Sequence, residues 1–145
     1  MKQVNEMRVS FPSRSVNESF ARVAVAAFIA QLDPTLDEMA DIKTAVSEAV
    51  TNCIVHAYAQ TIGTIYITVR IYGDSRMTVT VRDRGCGIAD VRKAMEPMFT
   101  TSTGGERAGL GFTVMQSFMD KLRVRSRVGY GTTVAMEKRL SPKAE

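Results

Sequence analysis

The chain has 145 residues, room for one domain around a single core, and its 45% hydrophobic and 23% charged residues are the balance of a soluble globular protein. No apolar run approaches the ~20 residues that span a bilayer, and the opening MKQVNEMRVSF is too polar for a signal peptide. Two cysteines and one histidine exclude a zinc site or disulfide framework and fit a reducing cytoplasm, while a net charge of +4 leaves an acidic partner open.

Residues 4–11 read as a short strand. SVNE, from Ser15 to Glu18, has the form of a capping box, with Ser15 at the N-cap and Glu18 three residues into the helix. Phe20, Val23, Ala24, Ala27 and Phe28 then recur at helical spacing to about Leu32. Pro34 interrupts, and TLDE, from Thr35 to Glu38, is a second capping box. The helix after it buries Leu36, Met39, Ile42, Val46, Ala49, Val50, Cys53, Ile54 and Ala57 and ends near Ala59.

Beyond Gly63 the period changes to two. TIYITVRIY puts Ile65, Ile67, Val69 and Ile71 on one face, and the turn GDSR leads into MTVTVRD, an antiparallel hairpin with one buried face. Ile88, Val91 and Met95 form a short helix stopped by Pro97. MFTTSTGGERAG is polar, aperiodic and rich in Gly and Thr, so it reads as a mobile loop. A helix from about Leu110 to Asp120 and strands at 122–128 and 131–139 complete the order β-α-α-β-β-α-α-β-β. The expectation is a single domain, residues 1–145, an α+β two-layer sandwich with a mixed, mostly antiparallel sheet and helices on one face.

Four short patterns carry candidate chemistry. Glu48 and Asn52 stand at i and i+4 on the second helix, outside its apolar arc, where one can take a proton and the other can offer a neutral oxygen to a hard cation. A solvated helix face is the plain alternative, and His56, one turn on, reads as packed and hydrogen-bonded. Asp83 continues the buried parity of Met77, Val79 and Val81, so its carboxylate needs a donor; a turn-capping aspartate would also satisfy the pattern. Gly85 and Gly87 in DRGCGI free the backbone for close approach to something flat. Thr132 is in phase with Val134 and Met136, on Asp83's side of the sheet, whereas Arg123, Arg125 and Arg127 share the opposite parity. ERAGLGF, with Gly109 and Gly111, opens a helix, where backbone amides can meet an anion. No third glycine completes GxGxxG, and Leu110 and Gly111 stand where a P-loop needs Lys and Ser/Thr, so neither familiar nucleotide loop is present. Without interleaved stacking aromatics or a DNA-binding motif, no direct nucleic-acid partner is expected.

Taken in order, ExxxN on a helix, DxGxG after a strand, GxG opening a helix and GT in a late strand resemble the Bergerat-type ATP-binding fold of gyrase, the ninety-kilodalton heat-shock chaperone, histidine kinases and MutL. FARVAVAAFIAQLDPTLDEMADIKTAVSEAVTNCIVHAY and MFTTSTGGERAGLGFTVMQSFMD further resemble the anti-sigma F factor family, small serine-protein kinases of endospore-forming bacteria. The resemblance implies ATP or ADP between helices and sheet, with a lid over the phosphates. It makes Glu48 the general base and Asn52 the Mg²⁺ ligand. It has Asp83, supported by Thr132, accept from the adenine amino group, with Gly85 and Gly87 against the base. Gly109 and Gly111 would face the phosphates, and Arg107 the γ-phosphate. It further implies inhibition of a sporulation sigma factor, phosphorylation of a serine on an anti-anti-sigma factor, a homodimer, and partner docking around Arg22 and Glu106. Two departures stand out: Ala108 where members often carry Ser, and the basic net charge. The same residues fit two rivals, an anti-sigma kinase of the general stress response and an ATP-gated adaptor without kinase activity.

Overall fold

The computed structural model describes residues 2–96 and 111–141. Strand β1 (Gln3–Pro12) is followed by helices α1 (Val16–Ile29) and α2 (Leu36–Asn52). The hairpin β2 (Thr64–Tyr72) and β3 (Arg76–Asp83), short helices α3 (Val91–Ala94) and α4 (Phe112–Phe118), and the hairpin β4 (Lys121–Arg127) and β5 (Gly131–Arg139) complete it. The expected element order is therefore present. The sheet runs β1-β2-β3-β5-β4, and all four pairings are antiparallel, stricter than the mixed sheet the sequence led us to expect.

Period-two alternation builds the inner face. Ile67 lies opposite Val81, Val69 opposite Val79 and Ile71 opposite Met77, and all six are buried. Burying each such side chain contributes ~1.5–3 kcal/mol relative to leaving it in water. From the helix side, Val25, Ile29, Ile42, Val46 and Val50 close the same core. Among the described residues, central β3 is thus covered by helices on one side and by none on the other.

The two capping boxes diverge. Thr35 accepts from the Glu38 amide at 3.1 Å while Glu38 accepts from the Thr35 amide at 2.9 Å, so the second box forms in full. Ser15 has helical dihedrals (φ −60°, ψ −31°) and its side chain caps nothing. Glu18 turns instead to Arg22, at 2.8 Å, and to the Ser47 hydroxyl on α2. The buried arc of α1 is Ala21, Val25 and Ile29, whereas Phe20 and Val23 are exposed, because α1 is apolar nearly all round and only the Ala21–Val25–Ile29 stripe faces the core. Leu36, expected in the core, is 90% exposed, since it lies in the first turn ahead of the packed stretch. Helix α2 ends at Asn52 and continues as one wide π-helical turn, Cys53–Ala57, instead of running to Ala59. The last helix is shorter than the expected Leu110–Asp120 span, with Leu110 outside the described residues.

Candidate functional site

The site begins with a buried charge. Strand parity puts Asp83 on the inner face at 6% exposure, and antiparallel pairing sets it opposite Thr132. Its Oδ1 accepts from the Gly85 amide at 2.9 Å and the Thr132 amide at 3.2 Å, and its Oδ2 accepts from the Cys53 thiol at 3.5 Å. Burial pushes the carboxyl above the ordinary aspartate range, and the hydrogen bonds from Gly85, Cys53 and Thr132 oppose that rise. The Cys53 thiol is itself pushed up, by burial and then by Asp83's charge, so it stays protonated and serves as a donor.

Thr132 supports Asp83 through its backbone; its hydroxyl bonds Ser126 Oγ at 2.8 Å. Ser126 Oγ also accepts from the Ile88 amide at 2.7 Å and lies 3.1 Å from the Gly131 carbonyl, tying the turn after β3 to the β4–β5 hairpin. Sequence reading placed Cys53 in the core and passed over Ser126. The only available signals were Cys53's position beside Asn52 and Ser126's inward parity among arginines.

The DRGCGI turn docks on the end of α2. A Cβ on Gly85 would stand 2.6 Å from the Ala57 carbonyl carbon, so only glycine fits, and the Cys86 amide donates to that carbonyl at 3.1 Å. One side of Gly85 is therefore filled by the protein's own backbone. Gly87, by contrast, lines the cleft described below. Tyr58 fastens the junction: its hydroxyl donates to the Thr64 carbonyl at 2.7 Å and accepts from the Arg84 amide at 2.6 Å. Burial raises its phenol pKa. The wide turn Cys53–Ala57, closed by the Tyr58 amide to the Cys53 carbonyl at 2.9 Å, is the irregular helix geometry that concentrates at functional sites.

The cleft lies between these parts. Ala49, Asn52, Cys53 and His56 line it from α2 and the wide turn, and Asp83, Gly87 and Ile88 line it from β3 and its turn. Phe112 of α4 and Val134 of β5 complete its apolar walls. Its enclosed part is about 40 Å³, a few water-sized volumes at ~10–15 Å³ each, so it takes the edge of a flat ligand while the remainder lies along the open side.

The structure brings Asn52 into this cleft at 9% exposure, correcting its expected place outside the buried arc; Glu48, one turn earlier, is half-buried. The rotation follows from α2 being sandwiched between α1, the sheet and α4. Gly111 caps α4 with φ +73°, and a Cβ there would run into the Glu48 carboxylate, so the start of α4 lies directly against that carboxylate. The Asn52 side-chain carbonyl is a hard oxygen donor of the kind that fits a Mg²⁺ drawing its remaining ligands from phosphate and water, which leaves the Glu48 carboxylate to act as a base. No group of three or more His, Cys, Asp or Glu able to hold a metal by themselves occurs among the described residues.

Glu106, Arg107, Ala108 and Gly109 lie outside the described residues. Arg22 does not simply project to solvent: its side chain is 36% exposed and ion-paired with Glu18 at 2.8 Å. Among the described residues no helix is long and apolar enough to cross a membrane.

Residues 11–138 match the model of the histidine kinase-like ATPase domain family. The chain is 61% identical over 138 residues to the anti-sigma F factor of Caldanaerobacter subterraneus subsp. tengcongensis, covering 95% of this chain and 96% of that one. It is 53% identical to the anti-sigma F factor of Geobacillus thermodenitrificans, over 94% of each chain. In structure it is similar to the RsbU and RsbW domains of a Mycobacterium tuberculosis protein, with TM-score 0.71 and 21% identity over 97% of this chain and 34% of that one. The catalytic domain of the histidine kinase ThkA superposes with TM-score 0.58 and 21% identity, over 92% and 96% of the two chains, which places the fold among these ATPases.

Proposed function

Because the chain belongs to the anti-sigma F factor family of histidine kinase-like ATPase domains, we propose that it holds a sporulation sigma factor inactive and phosphorylates a serine of an anti-anti-sigma factor with Mg·ATP. The observation that carries the site assignment is the buried Asp83, held by three donors in a cleft whose other wall bears Asn52, with Glu48 one turn back on α2 against the start of α4. An ionised carboxylate there accepts from an amino group on a base edge and repels a carbonyl, so it selects adenine over guanine.

Mg²⁺, held by Asn52 together with phosphate oxygens, would neutralise charge on the transferring group. The chain's own residues do the rest. Asp83 orients the base, the backbone at Gly109 and Gly111 receives the phosphates, and Arg107 meets the γ-phosphate. Glu48 draws the proton from the incoming serine hydroxyl as its oxygen attacks. Arg22 and Glu106 form part of the partner surface. Val16, Phe20 and Val23, exposed at i, i+4 and i+7 along α1, supply apolar area for the homodimer or a partner beside them.

The test is transfer of labelled phosphate from ATP to a candidate anti-anti-sigma factor of the same cell, with phosphosite mapping, and sigma-factor binding measured with ATP or ADP present. Nucleotide-dependent sigma binding without transfer would leave the ATP-gated adaptor. Binding of a general-stress sigma factor in preference to a sporulation one would move the protein to that pathway.

A further inference from the structure

The basic charge noted in the sequence is not spread evenly. On the bare face of the sheet, Arg8 and Arg70 share Glu6, Arg76 and Arg139 share Asp74, and Arg76 and Lys121 share Glu137. At the other end, Arg82, Arg84, Arg123, Arg125 and Arg127 are exposed, and among the described residues none has a carboxylate within ion-pair distance. Strand β4 carries three of them at alternate positions and is the edge of the sheet. On β5 their cross-strand neighbours are Ala135, Thr133 and Gly131, small and neutral, and Arg82 flanks Thr133 from β3.

We propose that the outer edge of β4 is a docking strand for an extended acidic segment of a partner protein. Such a segment would pair through its backbone and set carboxylates at i, i+2 and i+4 against Arg123, Arg125 and Arg127. Strand addition supplies main-chain hydrogen bonds along an edge that no other described strand pairs, and opposite charges directly across a strand pair add to them. A second copy of β4 is a poor occupant, because it would set arginine against arginine, the charge device by which edges resist self-pairing. Single-stranded nucleic acid fits less well too. The described aromatic rings here are already faced by guanidinium groups, Tyr130 by Arg127 at 4.2 Å and Tyr66 by Arg82 at 4.6 Å and Arg84 at 5.2 Å, so among the described residues no bare ring is left here for base stacking. The inference is independent of the nucleotide site, since these arginines are on the opposite side of the sheet from the cleft.

The probe is a short capped peptide in which glutamate alternates with valine, titrated into the full chain and followed by backbone amide NMR shifts. Expected are shifts along β4, weakening with salt, and at least about tenfold tighter binding than a peptide of the same composition with its glutamates in one block. Methylating alternate backbone nitrogens of the peptide should remove the binding, as should Arg125→Glu in a protein whose circular dichroism and melting temperature are unchanged. Equal binding of the block or N-methylated peptide, shifts elsewhere, tighter binding of a single-stranded oligonucleotide of equal charge, or no binding would each overturn the proposal.

Discussion

At the strand end of the cleft, Asp83 receives two backbone amides and a thiol from elements pinned by the sheet and by the wide turn that closes α2. At the helix end, Glu48 and Asn52 project from adjacent turns of α2, and what meets Glu48 is the glycine that starts α4. One end has three donors in place before any ligand arrives, with room on the carboxylate for one more; the other presents a half-buried carboxylate beside a short helix. The difference suits two tasks. Recognising a base edge rewards an acceptor that cannot swing, whereas moving a proton requires a carboxylate that an incoming hydroxyl can reach.

If the ends divide the work in this way, variants should separate rate from recognition. The largest effect is expected from Glu48→Gln, which keeps shape and loses the base: transfer to the partner serine should fall on the order of 10²–10⁴-fold, with ATP affinity, measured by calorimetry, close to wild type. Matching losses of rate and affinity would erase the distinction between the ends. Next is Asp83→Asn, expected to weaken ATP by about 10–100-fold, since a hydrogen bond to a charged group contributes ~1.5–3 kcal/mol, and to narrow the preference for ATP over GTP. An unchanged nucleotide preference would reduce Asp83 to a turn cap.

Gly85→Ala probes the support beneath Asp83. Forcing a methyl against the Ala57 carbonyl should cost ~1–3 kcal/mol of stability, seen in urea denaturation, and should weaken ATP more than it slows transfer from the bound complex. Cys53→Ala should weaken ATP about threefold to tenfold by freeing Oδ2, with the thiol-like donor of Cys53→Ser restoring most of it; failure of serine to rescue would make the thiol a packing group only.

The smallest effect is one of pH. Burial raises Asp83 above its ordinary 3.8, so the folded chain favours the protonated form. That contribution is complete below 3.8 and is lost as pH rises through the folded value. The stability of wild type relative to Asp83→Asn should therefore decline across the window that opens at 3.8 and extends upward. A gain over that range would mean that the hydrogen bonds outweigh desolvation.

Much of this was legible in the chain. Strict alternation in TIYITVRIY and MTVTVRD located the hairpin and put Asp83 inside, because a pleated strand has only two faces. Helix faces were harder to read, since α1 is apolar nearly all round. The spacing of Phe20, Val23 and Ala27 marks one face, while the core takes Ala21, Val25 and Ile29 on another. Two identical-looking capping boxes parted because Glu18 has Arg22 and Ser47 to turn to, whereas Glu38 reaches back to the Thr35 amide and also receives the Ser141 amide at 2.8 Å. Asn52's burial and the thiol at Asp83 depend on where α2 lies over the sheet, which no local pattern encodes. Gly85 was read as freeing the backbone for close approach to something flat, and the structure adds a close neighbour of its own, the Ala57 carbonyl.

The pairing of β3 with β5 also sets a timetable. Asp83 and Thr132 are 49 positions apart, and β5 is the last described strand to leave the ribosome. At about 5–20 residues per second, several seconds of synthesis separate the carboxylate from its second backbone donor. A nascent chain that has not yet emerged through β5 therefore lacks that donor at Asp83. Capture of a nascent chain by an immobilised nucleotide would therefore mark the moment its final hairpin locks into place.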